Sequence, residues 1–590
     1  MDYLPISDHG IIGDLHTAAL VGVDGNVDWY CCPRFDSPSV FGSILDARKG
    51  GSYRISPAGE CVSKQLYFPE TNVLLTRFLS EDGIGELQSF MPVNSAQRLV
   101  RRVGCIRGEM GFSIEVEPRF DYGRAAHETH LTDRGAVFRS PSLTLTLHSP
   151  VPLERTEAGV RGRLSLRGGE RASFVLATGA PDGGAFTEER AARDFDDTVA
   201  YWRRWLSRSR YRGRWREMVN RSALALKLLT YEPTGALVAA PTTSLPEQLG
   251  GPRNWDYRFT WVRDASLSLD ALMRLGFSDE AAAFLGWIRA RLAEVRSGDS
   301  GPLQIMYGVD GRHDLPEEEL DHLEGYRGSA PVRIGNGAAP QRQLDIYGEL
   351  VDSIYISQRH GERIGYDAWS DLLRALDWLA EHWDEPDEGI WETRAGRENF
   401  TYSRTMSWTA FDRAVRMSLE RGLPGDLARW TSTRDAIYRQ VMERGWDAER
   451  GAFVQHYGSK VLDASVLTMP LVGFVAPRDP RWLSTLDAIG DELVSDSLVR
   501  RYNVEAAPDG LRGSEGTFSI CSFWYVEALA LAGRVDDALY AFEKMLTYAN
   551  HLGLYSEEIG PTGEALGNFP QAFTHLALIY AATALDRALG

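Results

Sequence analysis

Two loops of this sequence carry carboxylates that could exchange protons with a substrate. In the first, GIWETRAGRENFTYSRTMSW (389–408), Glu392 directly follows Trp391. A carboxyl packed beside an indole has a raised pKa, because burial disfavours its charged form. A general acid needs a raised pKa in order to keep its proton at neutral pH. Glu392 is therefore a candidate general acid, and an exposed loop glutamate is the alternative.

The second loop, NHLGLYSEEIGPTGEALGNFPQAF (550–573), contains the adjacent residues Glu557 and Glu558. Their side chains need not share one environment, so one could act as a base while the other binds substrate. A solvated acidic turn is the alternative. Two carboxylates on opposite loops of one scaffold would match the inverting glycosidase plan, in which acid and base stand about 6.5–9.5 Å apart around a water.

A third segment, NWDYRFTWVRDAS (254–266), combines aromatic residues with an Arg-Asp pair. Aromatic faces suit the apolar C–H faces of a pyranose. Arg263 can donate to sugar hydroxyls, and Asp264 can accept from them. A core aromatic cluster with a structural ion pair is an equally good interpretation. The four aromatic residues are Trp255, Tyr257, Phe259 and Trp261.

These three segments must be positioned by two regions of different periodicity. The first ~180 residues contain many short segments that alternate with period two, separated by turns such as Asp82-Gly83 and Pro181–Gly184, which predicts a β-sandwich over 1–185. The polar segment 186–215 is predicted to be a linker helix.

From residue 216 to 590 the apolar period is 3.6, and the pattern predicts twelve helices that could pair as six hairpins. One way to close six helical hairpins is an (α/α)6 barrel. The predicted helices are 216–230, 263–275, 278–297, 341–359, 366–383, 404–421, 425–444, 461–468, 480–494, 518–532, 535–550 and 570–588.

Four loops between these helices are too long to be plain connectors, which favours them as the place where a site is built. They span residues 233–262, 298–340, 386–403 and 496–517. One contains the acidic run Glu317–Glu319, which we interpret as a helix start or a solvated face.

Composition excludes several classes of function. The formal charge of −18 disfavours nucleic acid as a partner. The start of the chain lacks a basic and apolar secretory leader, and no apolar stretch approaches the length of a membrane span. Five cysteines without CxxC spacing fit reduced thiols, so a cytoplasmic location is expected. No metal or cofactor is predicted, and the oligomeric state stays open.

Over nearly its whole length the sequence resembles glycoside hydrolase family 15, which contains glucoamylases, glucodextranases and prokaryotic trehalases. The N-terminal segment ISDHGIIGDLHTAALVGVDGNVDWYCCPRFDSPSVFGSILD is similar to that of the trehalase-like members. YRFTWVRDASLSLDAL, GYRGSAPVRIGNGAAPQRQLDIYGELVDS and IWETRAGRENFTYSRTMSWTAFDRAV follow in family order, and LYSEEIGPTGEALGNFPQAFTHLALI resembles the base-bearing segment.

The resemblance implies a β-sandwich followed by an (α/α)6 barrel, and inversion at the anomeric carbon. It implies Glu392 as general acid and Glu557 as general base. The substrate-binding residues implied by the resemblance, together with Glu558 from the paired-glutamate argument, are Arg263, Asp264, Tyr257, Trp261, Trp391, Arg501 and Glu558. Departures from the fungal pattern at Thr393, Glu558 and Gln571 put fungal-type starch specificity in question but not the chemistry.

The best expectation is exo-acting hydrolysis of a small α-glucoside, with trehalose as the first choice. A glucoamylase or isomalto-type α-glucosidase on short α-glucans is the second. A disaccharide phosphorylase needs one carboxylic acid and a phosphate pocket, and the presence of Glu557 beside Glu392 favours water as the nucleophile instead. A non-catalytic sugar-binding protein is the remaining alternative.

Overall fold

The computed structural model describes residues 3–93, 97–179, 186–294, 301, 303–359 and 364–590. In its N-terminal part the described residues form fifteen antiparallel strands. These are β1 (His9–Gly13), β2 (Ala18–Gly22), β3 (Asn26–Cys31), β4 (Ser39–Phe41), β5 (Ser52–Pro57), β6 (Val62–Tyr67), β7 (Leu74–Leu79), β8 (Gly83–Phe90), β9 (Arg98–Glu117), β10 (Glu128–Thr132), β11 (Gly135–Arg139), β12 (Thr144–His148), β13 (Glu154–Arg155), β14 (Val160–Arg167) and β15 (Arg171–Thr178).

The long strand β9 joins two sheets. Its first half pairs with β8 and β15, and its second half pairs with β5 and β14. The chain changes sheets near Gly108, where φ is +76° and a Cβ would lie 1.9 Å from the Asp82 carbonyl oxygen. The predicted turn at Asp82-Gly83 connects β7 to β8. The predicted turn 181–184 and the predicted boundary at residue 185 lie outside the described residues.

From residue 188 onward the described chain is mainly helical. The helices are α1 (Glu188–Leu206), α2 (Arg216–Leu228), α3 (Val262–Arg274), α4 (Ser278–Ala293), α5 (Asp345–Arg359), α6 (Tyr366–His382), α7 (Thr401–Arg421), α8 (Leu427–Gln440), α9 (Pro480–Glu492), α10 (Ser519–Ala532), α11 (Val535–Leu546) and α12 (Ala572–Leu589).

Most predicted helices are confirmed, with three differences. The segment predicted as a helix at 461–468 forms a short 3-10 helix, Ala464–Thr468, which Asp463 caps by accepting a hydrogen bond from the Ser465 N–H. The helix α8 continues as a π-helical turn, Val441–Gly445. The predicted end of the 278–297 helix falls partly on residues outside the described chain, and α4 ends at Ala293.

Six of these elements pack in a closed ring. In order around it, α3 contacts α5, α5 contacts α7, α7 contacts the 3-10 helix, and that helix contacts α10. The ring closes because α10 packs on α12 and α12 packs on α3. Gly348 permits the close approach of α5 to α7, since a Cβ there would lie 2.1 Å from the Met406 carbonyl oxygen.

The inner helix α7 is buried on nearly every side although it is rich in Ser and Thr. Its hydroxyls donate to carbonyls one turn earlier, as Thr405 does to Thr401, Ser407 to Ser403 and Thr409 to Thr405. Hydroxyls satisfied in this way can be buried without a partner on another element. Among the described residues, no helix has both the length and the apolar character that crossing a membrane requires.

Short strand pairs stiffen the long loops. Within the described residues these strands are β16 (Thr230–Tyr231), β17 (Ala236–Leu237), β18 (Thr243–Pro246), β19 (Asn254–Asp256), β20 (Thr260–Trp261), β21 (Met306–Tyr307), β22 (Glu318–Glu319), β23 (Arg333–Ile334), β24 (Trp446–Asp447), β25 (Ala452–Phe453), β26 (Val494–Ser495), β27 (Leu498–Val499), β28 (Thr517–Phe518), β29 (Glu558–Ile559) and β30 (Ala565–Leu566).

The acidic run Glu317–Glu319 is not a helix start, but Glu318 and Glu319 are exposed, as the solvated-face alternative expects. Glu318 and Glu319 form β22, which pairs with β23. Arginine side chains neutralise the run: Arg394 binds Glu317 at 2.7 Å, and Arg333 binds Glu319 at 3.1 Å. The run is therefore part of a folded loop that carries ion pairs.

Candidate functional site

The long loops meet at a cavity. Four of the predicted site residues line it, namely Tyr257, Trp391, Glu392 and Arg501. The other predicted residues lie just behind these, in contact with them or with one another. The remaining lining residues are Glu247, Trp255, Asn336, Ala338, Arg394, Asp509 and Leu511.

Glu392 lies in the cavity wall with its carboxyl held at one oxygen. Its Oε1 accepts a hydrogen bond of 2.6 Å from the Trp261 Nε1–H and lies 3.6 Å from Arg263 Nη2. Burial raises the pKa of Glu392, and Arg263 and Trp261 oppose that rise. The backbone of Glu392 has φ of +57°, a left-handed conformation that non-glycine residues rarely adopt.

Glu557 lies behind the cavity, 1% exposed. Its Oε2 accepts from the Asn568 backbone N–H at 3.0 Å, whereas Oε1 is buried and has no hydrogen-bond partner among the described residues. Burial raises the pKa of Glu557 to about 7, and hydrogen bonds from Tyr257 and Asn568 oppose that rise. Gly567 passes so close that a Cβ there would lie 2.4 Å from Glu557 Oε2.

Two aromatic side chains connect the carboxyls. The Tyr257 hydroxyl interacts with Glu557, and its ring packs edge-on against Trp261 with centroids 5.3 Å apart. Trp261 in turn donates to Glu392. Because Tyr257 and Trp261 are four residues apart just before α3, one short segment orients both candidate catalytic groups.

Arg263 and Asp264 form the predicted ion pair, with Arg263 Nε 2.9 Å from Asp264 Oδ1. Arg263 also donates to the Ile390 carbonyl oxygen at 2.7 Å, so it fixes the strand of chain that leads into Glu392. Both residues are buried beneath the cavity. Burial raises the pKa of Asp264 to about 6, and Arg263 opposes the rise.

Arg501 is paired with one acid of its own loop and lies near an acid of another loop. It bonds to Glu515 through Nε at 3.0 Å and through Nη2, and it lies 3.8 Å from Glu247. Glu558 Oε2 accepts from the Gly516 N–H at 2.7 Å. The Arg501 guanidinium also lies over the Trp391 ring at 5.5 Å. Arg501 is thus held in the cavity wall, and Glu558 lies buried behind it.

One group of acids in the described chain has spacing that could hold a metal: Glu247, Glu515 and Glu558, whose oxygens lie within 4.8 Å of one another. Arg501 and Arg253 already supply positive charge there, with Arg253 Nη1 at 3.0 Å from Glu515. The donor set is therefore an ion-pair network, which fits a structural role better than a cation site.

Sequence reasoning missed most of the outer cavity wall. Trp255 belongs to the predicted aromatic run, but its partner Glu247, which accepts from Trp255 Nε1 at 3.0 Å, carries no local signal. Asn336, Arg394 and Asp509 come from three separate loops. The long loops indicated that a site would lie among them, but not which of their side chains would meet.

The N-terminal sheets support one wall of the cavity from behind. Arg258 forms a buried pair with Asp256 at 2.6 Å and donates to the Ser37 carbonyl oxygen at 2.9 Å. Asp256 accepts from the Gly335 N–H at 3.1 Å, and Asn336 donates to the Asp256 carbonyl oxygen at 3.3 Å. The turn that presents Asn336 to the cavity therefore rests on the other half of the chain.

Chemically, the site offers a partly buried carboxyl in the cavity wall, Glu392, and a buried one behind it, Glu557, each fixed at one oxygen and each with a raised pKa. Groups of this kind can donate and accept protons near neutral pH. Aromatic rings and fixed arginines surround them, and these suit an uncharged polyhydroxylated ligand.

Two family models match the chain. The model described as Glycosyl hydrolases family 15 covers residues 213–583, and the one described as Trehalase-like, N-terminal covers residues 2–160. A protein named trehalase from Mycolicibacterium smegmatis is 41% identical over 617 residues, which cover 99% of this chain and 92% of that protein. A trehalase from Thermoplasma volcanium is 39% identical, covering 100% and 94%.

Among solved structures, a bacterial glucoamylase complexed with acarbose superposes with a TM-score of 0.73 at 13% identity, covering 99% of this chain and 95% of that one. This likeness shows a glucoamylase-like fold, with a sheet-rich N-terminal part and a helical C-terminal part. Together with the match over residues 213–583, the comparisons establish that the chain belongs to glycosyl hydrolase family 15.

Proposed function

We propose that the protein is an inverting, exo-acting α-glucoside hydrolase whose substrate is trehalose. The observation that carries the proposal is the pair of carboxyls, the partly buried Glu392 and the buried Glu557, joined through Tyr257 and Trp261 at one cavity. The choice of trehalose is supported by two relatives named trehalase, which are 39% and 41% identical over nearly the whole chain.

Glu392 acts as the general acid. Trp261 and Arg263 hold its Oε1, which leaves Oε2 to carry the proton toward the glycosidic oxygen. As the bond between the anomeric carbon and that oxygen breaks, the proton passes to the oxygen and the leaving sugar departs neutral. The developing carboxylate is stabilised by the neighbouring guanidinium.

Glu557 acts as the general base. The Asn568 N–H holds Oε2, and the unpartnered Oε1 accepts a proton from the attacking water. The water oxygen then bonds to the anomeric carbon from the face opposite the leaving group. The first product is therefore β-glucose.

Burial raises the pKa of both carboxyls, to about 7 at Glu557, and Arg263 and Trp261 oppose the rise at Glu392. The opposite assignment of acid and base is the competing mechanism, and leaving-group dependence separates the two.

The other predicted residues complete a closed glucose site. Arg263 and Asp264 block the end of the cavity beneath Glu392, which makes the action exo. Arg501 and Trp391 form the side wall, and Glu558 supports it from behind. We further propose that residues 216–590 form an (α/α)6 barrel, because six inner elements pack in a closed ring. In this architecture residues 1–185 are a β-sandwich and 186–215 a linker that contains α1.

The five cysteines are unpaired, which supports a cytoplasmic location. Glucoamylase-type or isomalto-type hydrolysis of short α-glucans is the second candidate function, because the fold is that of a glucoamylase. A phosphorylase needs no base, so the buried Glu557 argues for hydrolysis.

The test is kinetic, with trehalose, maltose, isomaltose and maltotriose as substrates, each with and without phosphate. We expect the highest kcat/KM with trehalose and release of free glucose in both cases. Proton NMR in the first minutes should show β-glucose and α-glucose in equal amounts, because the glucose attacked by water is inverted and the leaving glucose keeps its α configuration. Preference for maltose or isomaltose would overturn the substrate, glucose 1-phosphate would overturn hydrolysis, and initial α-glucose alone would overturn inversion.

The acid and base are assigned with two variants and two substrates. Glu392→Gln should lose about 10²–10⁴-fold in kcat on trehalose. It should lose much less on α-glucosyl fluoride, whose leaving group needs no proton. Glu557→Gln should lose comparable activity on both substrates and be partly rescued by azide. The reverse pattern would exchange the roles of Glu392 and Glu557.

A further inference from the structure

We infer that Arg394, held by Glu317, determines specificity for the leaving-group sugar. This inference rests on the proposed function, since it concerns the sugar that departs when Glu392 protonates the glycosidic oxygen. Arg394 lines the cavity and follows Glu392 by two residues in the chain. Neither Arg394 nor Glu317 belongs to the closed glucose site described above.

Position relative to the acid places Arg394 on the leaving-group side. The glucose whose anomeric carbon is attacked by water lies inward from Glu392, over the buried residues Arg263 and Asp264. The leaving sugar must then lie outward, beside the residues that line the mouth. Arg394 is such a residue, because its side chain is 33% exposed. The Arg394 backbone N–H donates to the carbonyl oxygen of Asp509 at 2.7 Å, and Asp509 also lines the cavity.

The Arg394 guanidinium is fixed in place. Nη2 and Nη1 donate to the two oxygens of Glu317 at 2.7 and 3.2 Å, a bidentate arrangement that sets both distance and plane. Glu317 is itself held by the Gly337 N–H at 2.9 Å. A Cβ at Gly337 would lie 3.1 Å from Glu317 and 3.3 Å from Arg394, so the three groups fit closely.

Recognition at this point is by N–H donors. The Trp255 ring, which also lines the cavity, carries the Arg394 guanidinium at 4.7 Å and the Arg333 guanidinium at 4.8 Å. The Trp255 ring is therefore in contact with two guanidinium groups. Glu317 uses two of the five N–H groups of Arg394, and the others remain for a ligand.

The chemistry of these donors favours a 1,1-linked leaving group. In trehalose the departing oxygen is attached to the anomeric carbon of the second glucose, so the ring oxygen of that sugar stands next to the scissile bond. A ring oxygen only accepts hydrogen bonds, and an arginine only donates. In maltose and isomaltose the departing oxygen is attached to C4 or C6, and the ring oxygen is on the next carbon, C5, one bond further from the scissile bond.

The experiment compares substrates that differ only in the leaving group. Arg394→Met keeps the length of the side chain but removes its charge and donors. With trehalose we expect kcat/KM to fall about 10–100-fold, the range for losing a charge-assisted hydrogen bond. With α-glucosyl fluoride, which has no leaving sugar, the fall should be less than about threefold. Arg397→Met is the matched control, because Arg397 lies on the same loop and pairs with Glu388 outside the cavity lining.

Glu317→Gln provides a second variant that keeps the shape of the network. It weakens the bidentate hold on Arg394, so we expect KM for trehalose to rise while kcat on α-glucosyl fluoride is retained. The ratio of trehalose to maltose hydrolysis should fall in both variants. Equal losses on trehalose and on the fluoride, or no loss on either, would overturn the inference.

The two hypotheses fail separately. If the wild-type enzyme prefers another disaccharide, trehalose as the substrate is wrong. The comparison of that disaccharide with α-glucosyl fluoride then tests Arg394 in the same way, and a selective loss on the disaccharide would still assign Arg394 to the leaving-group sugar.

Discussion

The sharpest test of the base geometry is Gly567→Ala, a substitution next to Glu557 that leaves both carboxyls chemically intact. At Gly567 the backbone has φ of +70°, and an added Cβ would lie 2.4 Å from Glu557 Oε2 and 2.6 Å from Glu557 Cβ. Ordinary van der Waals contact begins at 3.4 Å, so the two segments that carry Gly567 and Glu557 must move apart by about 1 Å. The same movement displaces the Asn568 N–H that holds Oε2.

A displacement of about 1 Å at a catalytic group can cost about 100-fold in rate. We therefore expect kcat on trehalose to fall by about that factor. The left-handed backbone adds a stability cost of about 1–2 kcal/mol, because L-residues with a Cβ are strained there. Activity and stability should both fall, and the activity loss should be too large for the stability loss to explain.

Gly563→Ala is the matched control. Gly563 lies in the same hairpin with φ of +85°, but its nearest neighbour to an added Cβ is Tyr548 at 3.7 Å. It should show a similar loss of stability with nearly normal kcat. Thermal melts and steady-state kinetics on both variants make the comparison. If kcat of Gly567→Ala is within about threefold of that of Gly563→Ala, well below the expected effect, Glu557 is not held as we describe.

Three further predictions concern charge. Arg263→Met should lose about 2–5 kcal/mol of transition-state stabilisation. It should also move the alkaline limb of the pH profile of kcat/KM to higher pH, because the guanidinium holds down the pKa of Glu392. An unchanged alkaline limb would contradict this. Glu557→Gln should raise Tm at pH 8 but not at pH 4. The pKa of Glu557 is about 7 in the folded state and about 4.3 in the unfolded state, so the wild-type protein loses stability as pH rises from about 4 to about 7. Glutamine does not ionise and avoids this loss. His9 beside Asp28 has a pKa raised to about 9, opposite in direction to the effect of its burial. His9→Gln should therefore destabilise at pH 6 and lose its effect by pH 10 in urea titrations; a pH-independent effect would exclude the ion pair.

The regular elements could be predicted from the sequence because period and turn chemistry are local. The helices α3, α5 and α7 were expected within a few residues of their observed bounds. The short helix at 464–468 was harder, because five buried residues do not establish a period. The passage of β9 from one sheet to the other could not be predicted either. It occurs near Gly108, which packs against the Asp82 carbonyl oxygen of the turn between β7 and β8.

The site was predictable where one segment supplies several groups. Tyr257, Trp261 and Arg263 are spaced within seven residues, and the structure brings them together. Arg394 and Glu317 are 77 residues apart, and only the folded loops bring them into contact. No local pattern distinguishes Glu317 from the exposed acids beside it. Pairings between loops depend on tertiary structure, so residue type and spacing alone could not reveal them.

The contact of Arg258 with the Ser37 carbonyl has a consequence for how such a chain can evolve. Arg258 is 1% exposed, and the hydrophobic core runs without interruption through both halves of the described chain. A gene that lost its first third would uncover this core and leave a buried guanidinium short of an acceptor. The N-terminal sheets therefore cannot be shuffled like an accessory module on a linker, and both halves must be inherited together and accumulate substitutions at the seam in concert.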